Sequence, residues 1–95
     1  MSKLKSAKQM ERHLKGIANH WRIEILLLLA GQNSATLEDI VDALGANIKT
    51  ISEHTRRLYH AGLVNKNYRG KFVENTLSPY GKLFVKFLKS FQNIQ

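Results

Sequence analysis

Ninety-five residues, 43% of them hydrophobic, suffice for one domain with one small core. Fifteen Lys and Arg against seven Asp and Glu leave a formal charge of +8, which suits a polyanionic partner or, at its blandest, a solubilising surface. The absence of cysteine excludes a disulfide framework, a thiolate nucleophile and a thiolate metal site.

The start, MSKLKSAKQMERHLK, is too charged for a signal-peptide apolar region, and the run IEILLLLA is far short of the roughly 20 apolar residues that span a membrane. A cytoplasmic protein without a membrane partner is expected. The first helix is expected over 1–18, with Leu4, Ala7, Met10, Leu14 and Ile17 at helical spacing and Gly16 weakening its end. Asn19 is the expected N-cap of a second helix, HWRIEILLLLAG, that stops near Gly31. Trp21, Ile25, Leu28 and Leu29 make one face of it and Leu26 and Leu27 widen the stripe, so this helix should lie in the middle of the core.

QNSA reads as a short polar loop. Thr36 then caps LEDIVDALG, where Glu38 and Asp39 suit the positive end of a helix dipole and Gly45 ends the helix. Asn47 caps the next helix, IKTISEHTRRLYHAG. Two short helices across a glycine-containing turn, over 36–62, make a helix-turn-helix unit.

A hairpin over 63–77 should follow, with LVNKNY and KFVENTL on either side of Arg69-Gly70. Ser78 as N-cap and Pro79 at the first helical position begin the last helix, over 78–95. The reading is a mainly α (α+β) single domain over 1–95: a winged helix-turn-helix with about five helices and a two-stranded β-hairpin wing.

Charge is unevenly spread along this order. Residues 43–95 carry nine cations and two acids, whereas Glu24 to Asp42 carries four acids and no cation. On a helical wheel, Ile51, Thr55 and Leu58 of the fourth helix fall on one side, and Lys49, Glu53, Arg56 and His60 on the other, flanked by Ser52 and Arg57. Such a face, placed in a major groove, meets base edges and phosphates. Lys66, Arg69 and Lys71 are expected to gather at the tip of the hairpin, which reaches a neighbouring minor groove or backbone. The expected contacts with double-stranded DNA are therefore Asn47, Lys49, Thr50, Ser52, Glu53, Arg56, Arg57, Lys66, Arg69 and Lys71. Asn47 is mainly a cap, and Glu53 mainly a partner of Lys49, Arg56 or Arg57.

The last helix repeats Tyr80, Phe84, Phe87, Leu88 and Phe91 along one stripe, with Leu83, Val85 and Ile94 outside it. That is more apolar surface than one small core needs, so a two-fold homodimer is expected through Met10, Leu14, Ile17, Phe84, Phe87, Leu88 and Phe91.

IANHWRIEILLLLA, LEDIVDALGANIKTISEHTRRLYHAGLV and the glycine-tipped hairpin ending in LSPYG resemble winged-helix repressors of the arsenical-resistance (ArsR) type, from about Ile17 to Gly81. Within that span the most specific residues are Ala43-Leu44-Gly45, Thr50-Ile51-Ser52 with His54, and Ala61-Gly62-Leu63-Val64. The resemblance implies a homodimeric bacterial or archaeal transcriptional regulator joined through its first and last helices. It also lets the Asn47 position touch phosphate. Two residues depart from the pattern: Thr55 stands where leucine is usual, and Glu53 where a cation or neutral polar residue is commoner.

Metal-sensing relatives use cysteines near the third helix or carboxylate and histidine pairs in the last, and neither NSATLED nor SPYGKLFVKFLKS offers such a set. His13, His20, His54 and His60 do not share helical ligand spacing, so no metal and no cofactor are expected. No phosphate loop, nucleophile elbow or paired-carboxylate cluster is present, and Ser52 and His54, two apart on a helix, point away from each other. Catalysis is not expected. A protein–protein module and a sequence-independent nucleoid-type DNA binder are the alternatives, and the sequence names no effector.

Overall fold

The computed structural model describes residues 4–94, and these form five helices and three strands. The helices are α1 (Ala7–Ile17), α2 (His20–Gln32), α3 (Leu37–Leu44), α4 (Ile48–His60) and α5 (Pro79–Gln92). The strands are β1 (Ala35–Thr36), β2 (Val64–Arg69) and β3 (Phe72–Leu77), in the antiparallel order β1-β3-β2. This is the expected winged helix-turn-helix, with β2 and β3 as the wing. Residues 1–3 and Gln95, included in the expected terminal helices, lie outside the described residues.

Local capping explains most boundaries. Ser6 and Gln9 form a capping box, which starts α1 at Ala7 and leaves Leu4 outside the helix and exposed. Among the described residues, the helix expected over 1–18 is corrected to begin at Ala7. Asn19 accepts from the backbone N–H groups of Trp21 and Arg22, Thr36 and Asp39 form a second capping box, and Ser78 accepts from Gly81. Helix α2 runs through Gly31 to Gln32, and Asn33 at φ +68° ends it in place of the expected glycine. Asparagine tolerates positive φ better than other side chains. Helix α4 ends at His60, with Ala61 as its cap and Gly62 at φ +78°.

The loop expected at QNSA contains a strand. Ala35 pairs with Asn75 and Thr36 with Glu74, and the Asn75 amide donates to the Ala35 carbonyl at 3.2 Å. Two residues carry no readable alternation, so only the edge of β3 defines them as a strand. Register in the wing runs from Val64 opposite Leu77 to Arg69 opposite Phe72, closed by Gly70-Lys71. Gly70 has φ +59°, the first-position requirement of a two-residue turn of this hand.

Ile25, Leu26, Leu29, Ile40, Ile51, Leu58, Leu63 and Val64 are the largest fully enclosed side chains. Helix α2 lies against α4, α5 and β3, in the central position that its broad apolar circumference required. Leu26 belongs to the fully buried set, whereas Leu28 is half-buried, which rotates the expected face slightly. Gly16 is a packing requirement rather than a weak end: a Cβ there would lie 2.4 Å from the Ala61 Cβ.

Candidate nucleic-acid interface

Helix α4 turns Ile51, Thr55 and Leu58 into the core and leaves Lys49, Ser52, Arg56, Arg57 and His60 exposed. Thr55 is buried, and its hydroxyl donates to the Ile51 carbonyl at 2.8 Å, so the departure from leucine costs no unsatisfied polar group. Asn47 accepts from the Lys49 backbone N–H at 2.7 Å, leaving its side-chain NH2 as the group available to a ligand. Thr50 is half-buried at the edge of the exposed face.

Glu53 is shared by two arginines. Its carboxylate accepts from Arg56 at 2.8 and 3.2 Å and from Arg57 at 2.8 Å. These hydrogen bonds, Arg56 first, hold the carboxyl below the usual carboxylate range. Glu53 fixes both guanidinium groups, and one carboxylate against two of them leaves a positive charge to which Lys49 on the same face adds another. Lys49 is not a partner of Glu53.

The wing carries its cations in two places. Arg69 pairs with Glu74 at 3.3 Å, and Lys71 occupies the turn without an ion pair among the described residues. Lys66 is corrected from the tip to mid-strand, opposite Asn75, with its ammonium 4.9 Å from the centre of the Tyr59 ring. The period-two alternation of β2 turns Lys66 towards α4. It lines a cleft of about 210 Å³ with Ser52, Thr55, Arg56 and Tyr68, which joins wing to helix. A second depression, of about 390 Å³, is lined by Leu37, Ile48, Lys49, Ser52, Glu53 and Arg56. Arg56 and Ser52 belong to both. The structure thus brings Lys49, Ser52, Glu53, Arg56 and Lys66 onto one continuous surface, with Arg57 on its far side and Arg69 and Lys71 at the end of the wing.

Sequence reasoning passed over Arg22. This half-buried side chain donates towards His54 Nδ1 at 3.4 Å and shares a cleft with Arg56 and Arg57. Burial, then the neighbouring charges of Arg22 and Arg57, lower the His54 pKa. A spacing of 32 residues between Arg22 and His54 gives no local signal that they meet.

The residues expected to pair two chains divide between core and surface. Ile17 and Leu88 lie in the core of the single chain, 7% and 8% exposed, and Phe84 packs partly against it. Met10, Leu14, Phe87 and Phe91 are exposed, as are Leu83 and Tyr80. The outward stripe of α5 is therefore Tyr80, Leu83, Phe87 and Phe91, because Gly81, Val85 and Leu88 face inwards. The Phe87 and Phe91 rings stack with centroids 5.7 Å apart. Among the described residues no helix is long and apolar enough to cross a membrane, and no group of three or more His, Asp or Glu is placed to hold a metal ion.

The family model described as bacterial regulatory protein, arsR family, matches residues 20–66, from the start of α2 to the middle of β2. No curated protein matches the chain. Among solved structures, HlyU from Vibrio cholerae N16961 is 27% identical, with 94% of this chain and 97% of that one covered and a TM-score of 0.82. The homodimeric winged helix-turn-helix DNA-binding domain of Mb0332 from Mycobacterium bovis is 26% identical, with 98% and 91% covered and a TM-score of 0.80. The transcriptional regulator HlyU from Vibrio vulnificus CMCP6 is 27% identical, with 90% and 88% covered and a TM-score of 0.77. By its matched helix-turn-helix, residues 20–66, the chain carries the ArsR-family module of bacterial regulatory proteins, and with its wing it has the winged-helix fold of DNA-binding transcriptional regulators.

Proposed function

We propose that the chain is a homodimeric, sequence-specific repressor that reads an inverted repeat in double-stranded DNA. The observation that carries this reading is the continuous cationic surface from Lys49 across Arg56 to Lys66, built jointly by α4 and the wing. In this reading 36–62 is the helix-turn-helix, 63–77 the wing, and the two terminal helices the dimer surface. Lys49, Thr50 and Ser52 lie towards the N-terminal half of α4, the part that enters a major groove, and Arg56 follows one turn later. Asn47, Arg57 and Lys66 hold phosphates beside them. Glu53 positions the two arginines, and Arg69 and Lys71 reach the flanking backbone or minor groove.

The exposed apolar stripe of α5 and the exposed Met10 and Leu14 of α1 support a dimer, as does the homodimeric state of the Mb0332 domain. A dimer seated on a promoter excludes other proteins from that site, which is repression in its simplest form. It acts where the chromosome is, in the cytoplasm. Selection of bound duplexes from a random pool tests the proposal. A recovered consensus with two-fold symmetry is expected. Recovery of duplexes without a shared sequence would replace it with the nucleoid-type reading, and absence of duplex binding with the protein-contact reading.

A further inference from the structure

A third cleft, of about 470 Å³, opens where α1, α2 and α4 meet, and Lys15, Arg22, Arg56, Arg57 and His60 line it. No carboxylate lines it. Arg22 is half-buried and forms no salt bridge among the described residues, while Glu53 is already taken by Arg56 and Arg57, and Lys15 pairs at the exposed rim with Glu11 at 3.3 Å. Desolvation and the Arg57 charge both lower the Arg22 pKa, the mark of positive charge held together with too little counter-charge. Arginine remains cationic regardless. A partly desolvated guanidinium without a carboxylate is costly in the free protein and is offset when an anion enters.

The position of this cleft selects the anion. Arg56 lines it and also lines the wing-side cleft that holds Lys66. Along α4, Ser52 of the wing-side cleft and Arg57 of this one lie roughly 140° apart around the helix axis. The two clefts therefore flank the exposed face of α4, as the two phosphate rows of a duplex flank a helix lying in its major groove, about 12 Å wide.

We propose that this α1–α2–α4 cleft is a second phosphodiester site, in which Arg22, Arg57 and Lys15 hold a backbone phosphate on the side of the groove opposite the wing. The inference rests on the reading of the chain as a duplex-binding protein. It adds Arg22 and Lys15, from outside the helix-turn-helix and wing, to the residues that grip DNA. Neutral His54 accepts from Arg22 and orients it.

The test compares wild type with Arg22→Gln, Arg22→Lys and Lys49→Ala, and Glu11→Gln with and without Lys15→Gln, on preferred and scrambled duplexes across a chloride series in phosphate-free buffer. Folding of each is checked by its denaturation midpoint. Arg22→Gln should weaken both duplexes alike, by about tenfold at low salt. It should also make the salt dependence shallower by about one unit of slope, while Arg22→Lys keeps the slope. Lys15→Gln, at a side chain 77% exposed and paired with Glu11 at 3.3 Å, should act in the same direction in a Glu11→Gln background, which removes the acid the change would release, and decides the matter if Arg22→Gln does not fold. Added inorganic phosphate should leave wild type and variants equally affected, since the site takes a polymer phosphate rather than the free ion. The proposal is overturned if folded Arg22→Gln matches wild type, and Lys15→Gln its Glu11→Gln background, in affinity and slope while Lys49→Ala weakens binding. It is also overturned if inorganic phosphate alone distinguishes the variants. A wild-type protein that binds no duplex overturns the functional reading as well, which separates the two failures.

Discussion

Gly81 occupies a position in α5 where the helix touches the backbone of Leu63, and a Cβ there would lie 2.1 Å from the Leu63 carbonyl oxygen. Gly31, in the last turn of α2, has nothing within 4 Å of the same hypothetical atom. The two helical glycines thus have opposite meanings. Gly81→Ala should destabilise by about 1–3 kcal/mol or more, because the obstacle is backbone that cannot rotate away. Gly31→Ala should stabilise by about 0.5–1 kcal/mol, since alanine restricts the unfolded chain and fits a helix. Urea denaturation of both variants measures this, and equal signs would contradict the assigned contacts. The Gly81 approach also holds α5 against the start of β2, where the Ser78 backbone N–H donates to the Leu63 carbonyl at 3.1 Å. The helix proposed for dimer contact is thereby tied to the base of the wing.

Helix α4 and the wing divide their proposed work by geometry. Glu53 splints Arg56 and Arg57, whereas Lys49 stands at the first turn without an ion pair among the described residues. Lys49→Ala should cost roughly 1–3 kcal/mol on the preferred duplex and flatten preference at one position, as a base-reading contact does. Lys71→Ala, at the turn of the wing, should weaken preferred and scrambled duplexes equally and reduce the salt slope by about one. Titrations on both duplexes at several salt concentrations distinguish these patterns. Loss of sequence preference in Lys71→Ala would move the wing from backbone grip to base reading. Arg69 is a weaker reporter, because its pairing with Glu74 is lost together with any DNA contact.

At the scale of the molecule, the cationic clefts lie on α4, whereas on α5 exposed apolar groups alternate with the exposed Lys82, Lys86 and Lys89. Arg56 links the cationic clefts on α4, while Leu83, Phe87 and Phe91 project from α5 at 61%, 55% and 61% exposure. Sedimentation of the wild-type chain should show a dimer at micromolar concentration. Leu83→Lys combined with Phe87→Lys should yield a folded monomer, since both side chains already face solvent in the single chain. The same double variant should lose most affinity for a two-fold site, whose half-sites are expected about one helical turn, ~10 bp, apart or a multiple of it. A wild-type monomer at high micromolar concentration would end the dimer reading.

The amino-acid sequence by itself determined the helices, most of their caps, the wing and the family resemblance. Helical periodicity, Asn19, Thr36, Asn47 and Ser78 as N-caps, and Gly70 in the turn are local signals that act within a few residues. The inward face of α4 was legible for the same reason, since Ile51, Thr55 and Leu58 repeat at helical spacing. Tertiary structure alone decided the rest. β1 exists only because β3 passes beside Ala35 and Thr36. Which of the apolar residues of α5 face outwards depends on Gly81 docking against Leu63, so Leu88 is enclosed and Leu83 is not. Lys66 left the expected tip because strand register, rather than sequence proximity to Gly70, sets its position. Arg22 and His54 meet across 32 residues through the packing of α2 on α4, a contact to which no local periodicity corresponds.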